Sequence, residues 1–259
     1  MNSAPIYKDP EDLLLDLGIT KPEEIDLLSI AQFCNAHVVV QPLNGIEGRI
    51  IGNASEAFIT VNANSSPERQ RFSIGHELGH WMYDRGKPFF NCASSDFKKW
   101  GIRELDPEVR ANKYSANLIM PTSMFVPMTR REPINFATVK KLMSIFNSTL
   151  MATAIRLVEQ GPYPSMLVCT VAGKRKWFCR NKVLPTFVWP IENLCMDSFA
   201  AELLKGLQKS ANGTVGADSW VTLKGSEDYL VFEDSIKIGN KTILSIIWWK
   251  DESQISALV

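Results

Sequence analysis

Arg71-Phe-Ser-Ile-Gly-His-Glu-Leu-Gly-His-Trp-Met-Tyr83 decides how this chain is read. It contains His76-Glu77-Leu78-Gly79-His80, an H-E-x-x-H pattern, and holds two of the chain's three histidines. Just upstream, Ser66-Pro67-Glu68 supplies a capping serine, a proline at the first helical position and an acid in the first turn. A helix is therefore expected from there to about Tyr83, broken by Gly86 and Pro88. Residues four apart share a helix face, so the imidazoles of His76 and His80 can grip one ion. Glu77 points beside that ion and can take a proton from a water. This is the pattern of a zinc site that activates water against a carbonyl.

A catalytic zinc usually has three protein ligands and one open position. The remaining histidine, His37, falls in a segment read as a strand well upstream and is taken as structural. The third ligand is thus sought among the carboxylates Glu104, Asp106 and Glu108. Glu108 is favoured, because it opens a helix (Asp106-Pro107-Glu108 onward, ended by Pro121) that can pack on the motif helix. Asn112, one turn later, and Asp84, four residues after His80, are candidates to hydrogen-bond the ligands from behind.

The bulk numbers set bounds. With 259 residues, 45% of them apolar and 22% charged, one or two soluble domains are expected. A formal net charge of zero argues against a surface wholly devoted to nucleic acid or membrane. The first twenty residues mix Lys8, Asp9, Glu11, Asp12 and Asp16 with apolar ones, unlike a signal peptide. No run approaches the roughly 18 apolar residues of a membrane span. Five cysteines without a C-x-x-C pair point to free thiols and a cytoplasmic setting.

In chain order, Pro10 to Leu17 reads as a short helix and Lys21-Pro22-Glu23-Glu24 as the start of a second. Ala36 to Val40, Gly48 to Ile51 and Ala57 to Val61 read as strands, and Gly86 to Gly101 as a loop. Phe136 to Phe146 and Thr149 to Val158 form a helical pair with a helix-turn-helix outline. After Pro164 the texture becomes strands: Met166 to Val171, Lys176 to Arg180, Asp228 to Phe232, Ser235 to Ile238 and Thr242 to Trp249. Asp197 to Lys209 is read as a helix among them.

The run from Glu68 through His80 resembles the active helix of the ImmA/IrrE family of metallopeptidases, and Glu108-Val-Arg-Ala-Asn-Lys-Tyr-Ser-Ala-Asn-Leu-Ile-Met-Pro121 resembles that family's third-ligand helix. Val38 to Val40, Gly45 to Arg49 and Phe58 to Asn62 are similar too. The resemblance implies an α+β fold with three parts: a zincin-like metallopeptidase domain of helices and a small sheet over 1–130, the helical pair over 131–161, and a GAF-like α+β sensor domain over 162–259. It supports Zn2+ held by His76, His80 and Glu108, with Glu77 as general base. Asp84 and Asn117 depart from the family pattern, where histidine and glutamate are frequent. The family's job is to cleave a partner helix-turn-helix repressor after a stress signal. The nearest types are repressor-cleaving peptidases of anti-phage operons and radiation-response regulators, for which DNA damage or single-stranded DNA is the signal. In related zinc peptidases an extended substrate lies along an edge strand, the place in which Ala57 to Asn62 would stand.

Two further features bear on control. Cys92 lies between the second and third ligands, and its thiolate could fill the open zinc position as an inhibitory switch. Lys174, Arg175, Lys176, Trp177, Arg180 and Lys182 belong to a nine-residue run with five basic residues and two aromatics, followed by Phe187 and Trp189. That mixture suits single-stranded nucleic acid. Strand alternation predicts Lys176, Phe178 and Arg180 on one face, with Trp177 and Cys179 on the other. A small molecule in a GAF-like pocket is the competing reading for this domain. For the whole chain the alternative is a DNA-binding regulator with a non-catalytic metal site, reading through residues 136–160.

Overall fold

A computed structural model describes residues 7–85, the backbone of 91–94, and residues 106–250 and 255. The fold is α+β, with eight α-helices and two sheets among the described residues. The chain divides into two compact units, Met1–Pro127 with Leu142–Ala152, and Met128–Lys141 with Thr153–Val259. The division runs through both members of the helical pair, α6 (Phe136–Phe146) and α7 (Leu150–Gln160). Among the described residues no helix is long and apolar enough to cross a membrane.

The first unit opens with α1 (Pro10–Asp16), capped by the Asp9 carboxylate. Lys21 to Glu24 does not start the next helix as the sequence suggested. Pro22–Glu24 is a single 3-10 turn, and the Glu24 carboxylate accepts from the Thr20 and Lys21 amides. Asp26 then captures the amides of Leu28 and Ser29, which restarts the chain as α2 (Leu27–Phe33).

Three longer strands follow, β1 (Ala36–Gln41), β2 (Gly48–Gly52) and β3 (Ala57–Asn62). Part of the stretch read as a loop is a fourth, β4 (Asn91–Ser94). The sheet order is β1-β3-β2-β4. This corrects the edge-strand expectation: β3 is internal, because β1 pairs with it in parallel and β2 antiparallel. Its pairing capacity is used on both sides, and the edges are β1 and β4.

Period-two alternation sorts the side chains of this sheet. Ala36, Ile50, Ala57, Ile59 and Val61 are buried beneath α3 (Pro67–Asp84), whereas Val39, Ile51 and Phe58 are exposed on the other face. Glycines on β2 let α3 lie close, since a Cβ at Gly52 would come within 3.1 Å of the Trp81 ring. The Trp81 indole N–H donates to the Cys34 carbonyl at 2.8 Å, tying α3 to the end of α2. Helix α4 (Pro107–Ile119) crosses α3, and α5 (Thr122–Thr129) follows, with the Glu11 carboxylate accepting from the Thr122 amide at 2.7 Å.

The second unit is built on a five-stranded antiparallel sheet, ordered β6-β5-β9-β8-β7. Its strands are β5 (Ser165–Val171), β6 (Lys174–Arg180), β7 (Ser210–Gly216), β8 (Leu230–Lys237) and β9 (Thr242–Trp248). Two expectations change here. The helix α8 is short (Phe199–Lys205), stopped at Gly206, and residues 210–216 form an edge strand instead. The two segments expected over 228–238 are one continuous strand, β8.

Glu233 of β8 ties this unit together. Its carboxylate accepts from the amides of Phe199 and Ala200, from the Trp220 indole and from the Ser235 hydroxyl. Burial raises its pKa, while these bonds oppose the rise. Its neighbour Asp234 points to the opposite face and accepts from the Phe136 amide at 2.7 Å, capping α6. Replacing Glu233 with Ala strands several buried donors at once, each costing about 1–3 kcal/mol. Urea unfolding of Glu233→Ala is expected to show a loss of about 3 kcal/mol or more.

Candidate metal centre

The site rests on how closely two helices cross. Gly75 and Gly79 of α3 face α4: a Cβ at Gly75 would lie 2.6 Å from Ser115 Oγ, and one at Gly79 2.9 Å from Tyr114 Cβ and 3.0 Å from Ala111 Cα. The Ser115 hydroxyl donates to the Phe72 carbonyl at 2.8 Å, so the crossing is also bonded. Helix α3 starts where Ser66 Oγ accepts from the Arg69 amide, and α4 where the Asp106 carboxylate accepts from the Glu108 amide at 3.0 Å. Asp106 is thus the cap of α4, and Glu108 lies on its first turn.

Three side chains converge at the crossing. His76 Nε2 and His80 Nε2 are 3.1 Å apart. Glu108 Oε2 lies 3.3 Å from His76 Nε2, and Glu108 Oε1 lies 3.3 Å from His80 Nε2. One ligand atom from each residue fits within a 4.8 Å cluster that could hold a metal ion. Hydrogen bonding from His76, then from His80, holds the Glu108 carboxyl well below the usual carboxylate range, against the opposing effect of burial.

The other ring nitrogens are occupied from behind. His76 Nδ1 meets Asn112 Oδ1 at 2.9 Å, and His80 Nδ1 lies 3.6 Å from the Asp84 carboxylate. Arg110 is placed 3.8 Å from Asp84 and stacks over the Tyr83 ring at 4.9 Å. With Asn112 bonded to His76 Nδ1 and Asp84 behind His80, each imidazole presents Nε2 to the common point, which is how histidine ligands are usually oriented. Two imidazole nitrogens and one carboxylate form a donor set that zinc accepts.

Glu77 is fully buried on α3. The backbone of β2 lies against it: a Cβ at Gly48 would sit 2.9 Å from Glu77 Oε1. A side chain at position 48 would crowd the Glu77 carboxylate, a contact that H-E-x-x-H spacing does not reveal.

His37 is half-exposed on β1, 3.7 Å from Glu56. Glu104 and the side chain of Cys92 lie outside the described residues, although the backbone of Cys92 pairs with Ile50 on β4. In the second unit, pairing passes from Cys169–Trp177 to Thr170–Arg175, so Lys176 is the extra residue of a β-bulge. That overturns the simple alternation: Arg175, not Lys176, joins Phe178 and Arg180 on one face, and its guanidinium sits 5.3 Å from the Phe178 ring. Arg175 donates to the carbonyls of Pro190 and Ile191, and Arg180 to those of Pro185, Thr186 and Val188. Trp177 is on the other face, with Cys179. The exposed aromatics are Phe187 and Trp189, the latter packed edge-on against Phe178 at 5.1 Å.

Removing the bond behind His76 should loosen the metal without deleting a ligand. Asn112→Ala is expected to weaken zinc binding by about 10- to 100-fold, measured by competition with a chelating dye.

Comparison with known proteins agrees with this geometry. The family model of the IrrE N-terminal-like domain, peptidase family M78, matches residues 34–158, which include His76, Glu77, His80 and Glu108. The Phage-like element PBSX protein XkdA of Bacillus subtilis (strain 168) is 32% identical over 112 residues, 43% of this chain and 51% of that protein. The chain therefore spans about half the length of that relative. A solved structure, titled Mycobacterium tuberculosis transcriptional regulator, superposes with a TM-score of 0.59 over 96% of this chain and 89% of its own, at 12% identity. That likeness concerns the fold alone. The match over residues 34–158, with the motif helix and Glu108 inside it, identifies the chain as carrying an ImmA/IrrE-family domain.

Proposed function

We propose that the protein is a zinc endopeptidase that cleaves a partner helix-turn-helix repressor. The observation that carries this reading is the meeting of His76 Nε2, His80 Nε2 and both Glu108 oxygens beside the buried Glu77. Zinc held there supplies a Lewis acid that polarises the scissile carbonyl and acidifies water. Glu77 takes the proton of the attacking water and returns it to the leaving nitrogen. The backbone at Gly48 and the surrounding burial keep that carboxylate in one place. Asn112 and Asp84 fix the two imidazoles.

The alternative, a DNA-binding regulator that reads through residues 136–160, is disfavoured by the burial of α7, the second helix of that pair. Residues 152–158 of α7 are all buried, which leaves no face for a major groove.

The five-stranded unit is proposed as the sensor, with single-stranded DNA as the signal. Support comes from Phe187 and Trp189, both exposed, and from the exposed Lys174, Lys176 and Lys182 of the same stretch. Arg175 and Arg180, tied to carbonyls, stiffen the loop that displays the aromatics. Cleavage of the repressor would then release stress or defence genes.

The test is to mix the zinc-loaded protein, with and without single-stranded DNA, with helix-turn-helix proteins, including any encoded by a neighbouring gene. A discrete fragment is expected. Glu77→Gln should lower the rate by about 10²–10⁴-fold while metal analysis still finds one zinc per chain. Equal cleavage by wild type and Glu77→Gln would overturn the assignment. For the sensor, Trp189→Ala is expected to weaken binding of an oligothymidylate by about 1–3 kcal/mol in a fluorescence anisotropy titration.

A further inference from the structure

The exposed Trp189 of the second unit packs edge-on against Phe178, and the residues after it are bonded inward. Pro190 bridges Val221, and the Ile191 amide donates to the Trp220 carbonyl at 2.8 Å. Trp220 is buried, and its indole N–H donates to Glu233 Oε2 at 2.8 Å. The next residue on β8, Asp234, accepts from the Phe136 amide at the start of α6, on the other face of the sheet. Exposed loop, buried indole and helix cap are thus joined step by step, all inside the second unit. α6 does not end there. Residues 142–146 of the same helix belong to the unit of the candidate metal centre, where Phe146 packs on Phe125 of α5 with ring centres 5.6 Å apart.

We propose that Trp220, Glu233 and Asp234 relay ligand binding at the Trp189 loop to the start of α6, so that a bound single strand releases the Asp234 cap. The proposal rests on the sensor reading of this unit and gives it an output. A base stacked on Trp189 competes with Phe178 for the position of the same indole. Movement of Trp189 carries Pro190 and Ile191 with it, and through their bonds the segment of Trp220. Glu233 then loses the indole N–H. Adjacent residues of a strand point to opposite faces, so Glu233 and Asp234 cannot be adjusted one without the other. Both carboxylates are buried, and a buried carboxylate short of donors is costly. A twist of β8 that re-bonds Glu233 swings Asp234 away from the Phe136 amide. α6 then loses a cap at one end, and its other end lies in the metallopeptidase unit.

The test uses the full chain, with oligothymidylate as the probe, and reads hydrogen exchange over residues 134–141 by mass spectrometry. In the parent protein, saturating oligothymidylate is expected to speed exchange there by about two-fold or more, the worth of a helix cap. Trp220→Phe keeps a ring and removes the N–H. It should still bind the oligonucleotide, with no change in exchange over 134–141 on binding. Asp234→Ala tests the same line from its other end, whether or not Trp220→Phe folds. Its exchange over 134–141 should be fast without ligand and indifferent to it. Because coupling is reciprocal, Asp234→Ala should also bind oligothymidylate about two-fold or more tighter than the parent, by fluorescence anisotropy. If the parent does not bind oligothymidylate, the sensor reading fails and the relay goes with it. If the parent binds it and exchange over 134–141 does not move, the sensor reading stands and the relay is wrong. The relay is equally overturned if Trp220→Phe responds as the parent does, or if Asp234→Ala gains no affinity.

Discussion

The close crossing of α3 and α4 is the constraint on which the site depends. Phe72, Gly75, His76, Gly79 and His80 recur at the spacing of one helix face, and so do Glu108, Ala111, Asn112 and Ser115 on the partner. The two glycines bring the backbones near enough for a short carboxylate on one helix to reach two imidazoles on the other. The same approach brings Asn112 to the back of His76. Packing and coordination chemistry are thus set by one set of contacts. A methyl group at position 75 acts on both, because it displaces the Ser115 hydroxyl that bonds the helices.

The sheet places chemistry by a second close approach. β2 carries Gly48 and Gly52 where α3 carries Glu77 and Trp81. A Cβ at either position would crowd the α3 side chain that packs against it. The second unit solves its own problem differently. Its core is anchored on a buried carboxylate, Glu233, whose acceptors are matched by donors from a helix start, an indole and a hydroxyl. A fully bonded carboxylate of this kind is tolerable inside a protein, whereas a partly bonded one is not.

Much of the candidate metal centre was legible because each part has a local signature. A capped helix with histidines four apart, and a second capped helix with an acid on its first turn, need no tertiary knowledge. What stayed hidden was decided by partners distant in sequence. The internal place of β3 depends on β1 joining it in parallel, and its apolar alternation looks the same at an edge or inside. β4 is too short, and β7 (Ser-Ala-Asn-Gly-Thr-Val-Gly) too poor in β-branched residues, to stand out from a loop. The bulge at Lys176 moved Arg175 across the sheet because one extra residue reverses alternation from that point on. At Asp26 a strong local cap won over the continuous helix that the apolar pattern had suggested.

The candidate ligands are also far apart along the chain: His76 and His80 stand on one helix, and Glu108 opens another 28 positions after His80. An ion bound by all three closes that span as a crosslink would, and the entropy it removes from the unfolded chain grows only slowly with the length enclosed. Metal affinity and the adhesion of α4 to α3 are then two faces of one equilibrium. A residue that never nears the ion, such as Ser115 in the crossing, tunes metal retention, and depletion of the metal is felt first as loosening between these helices.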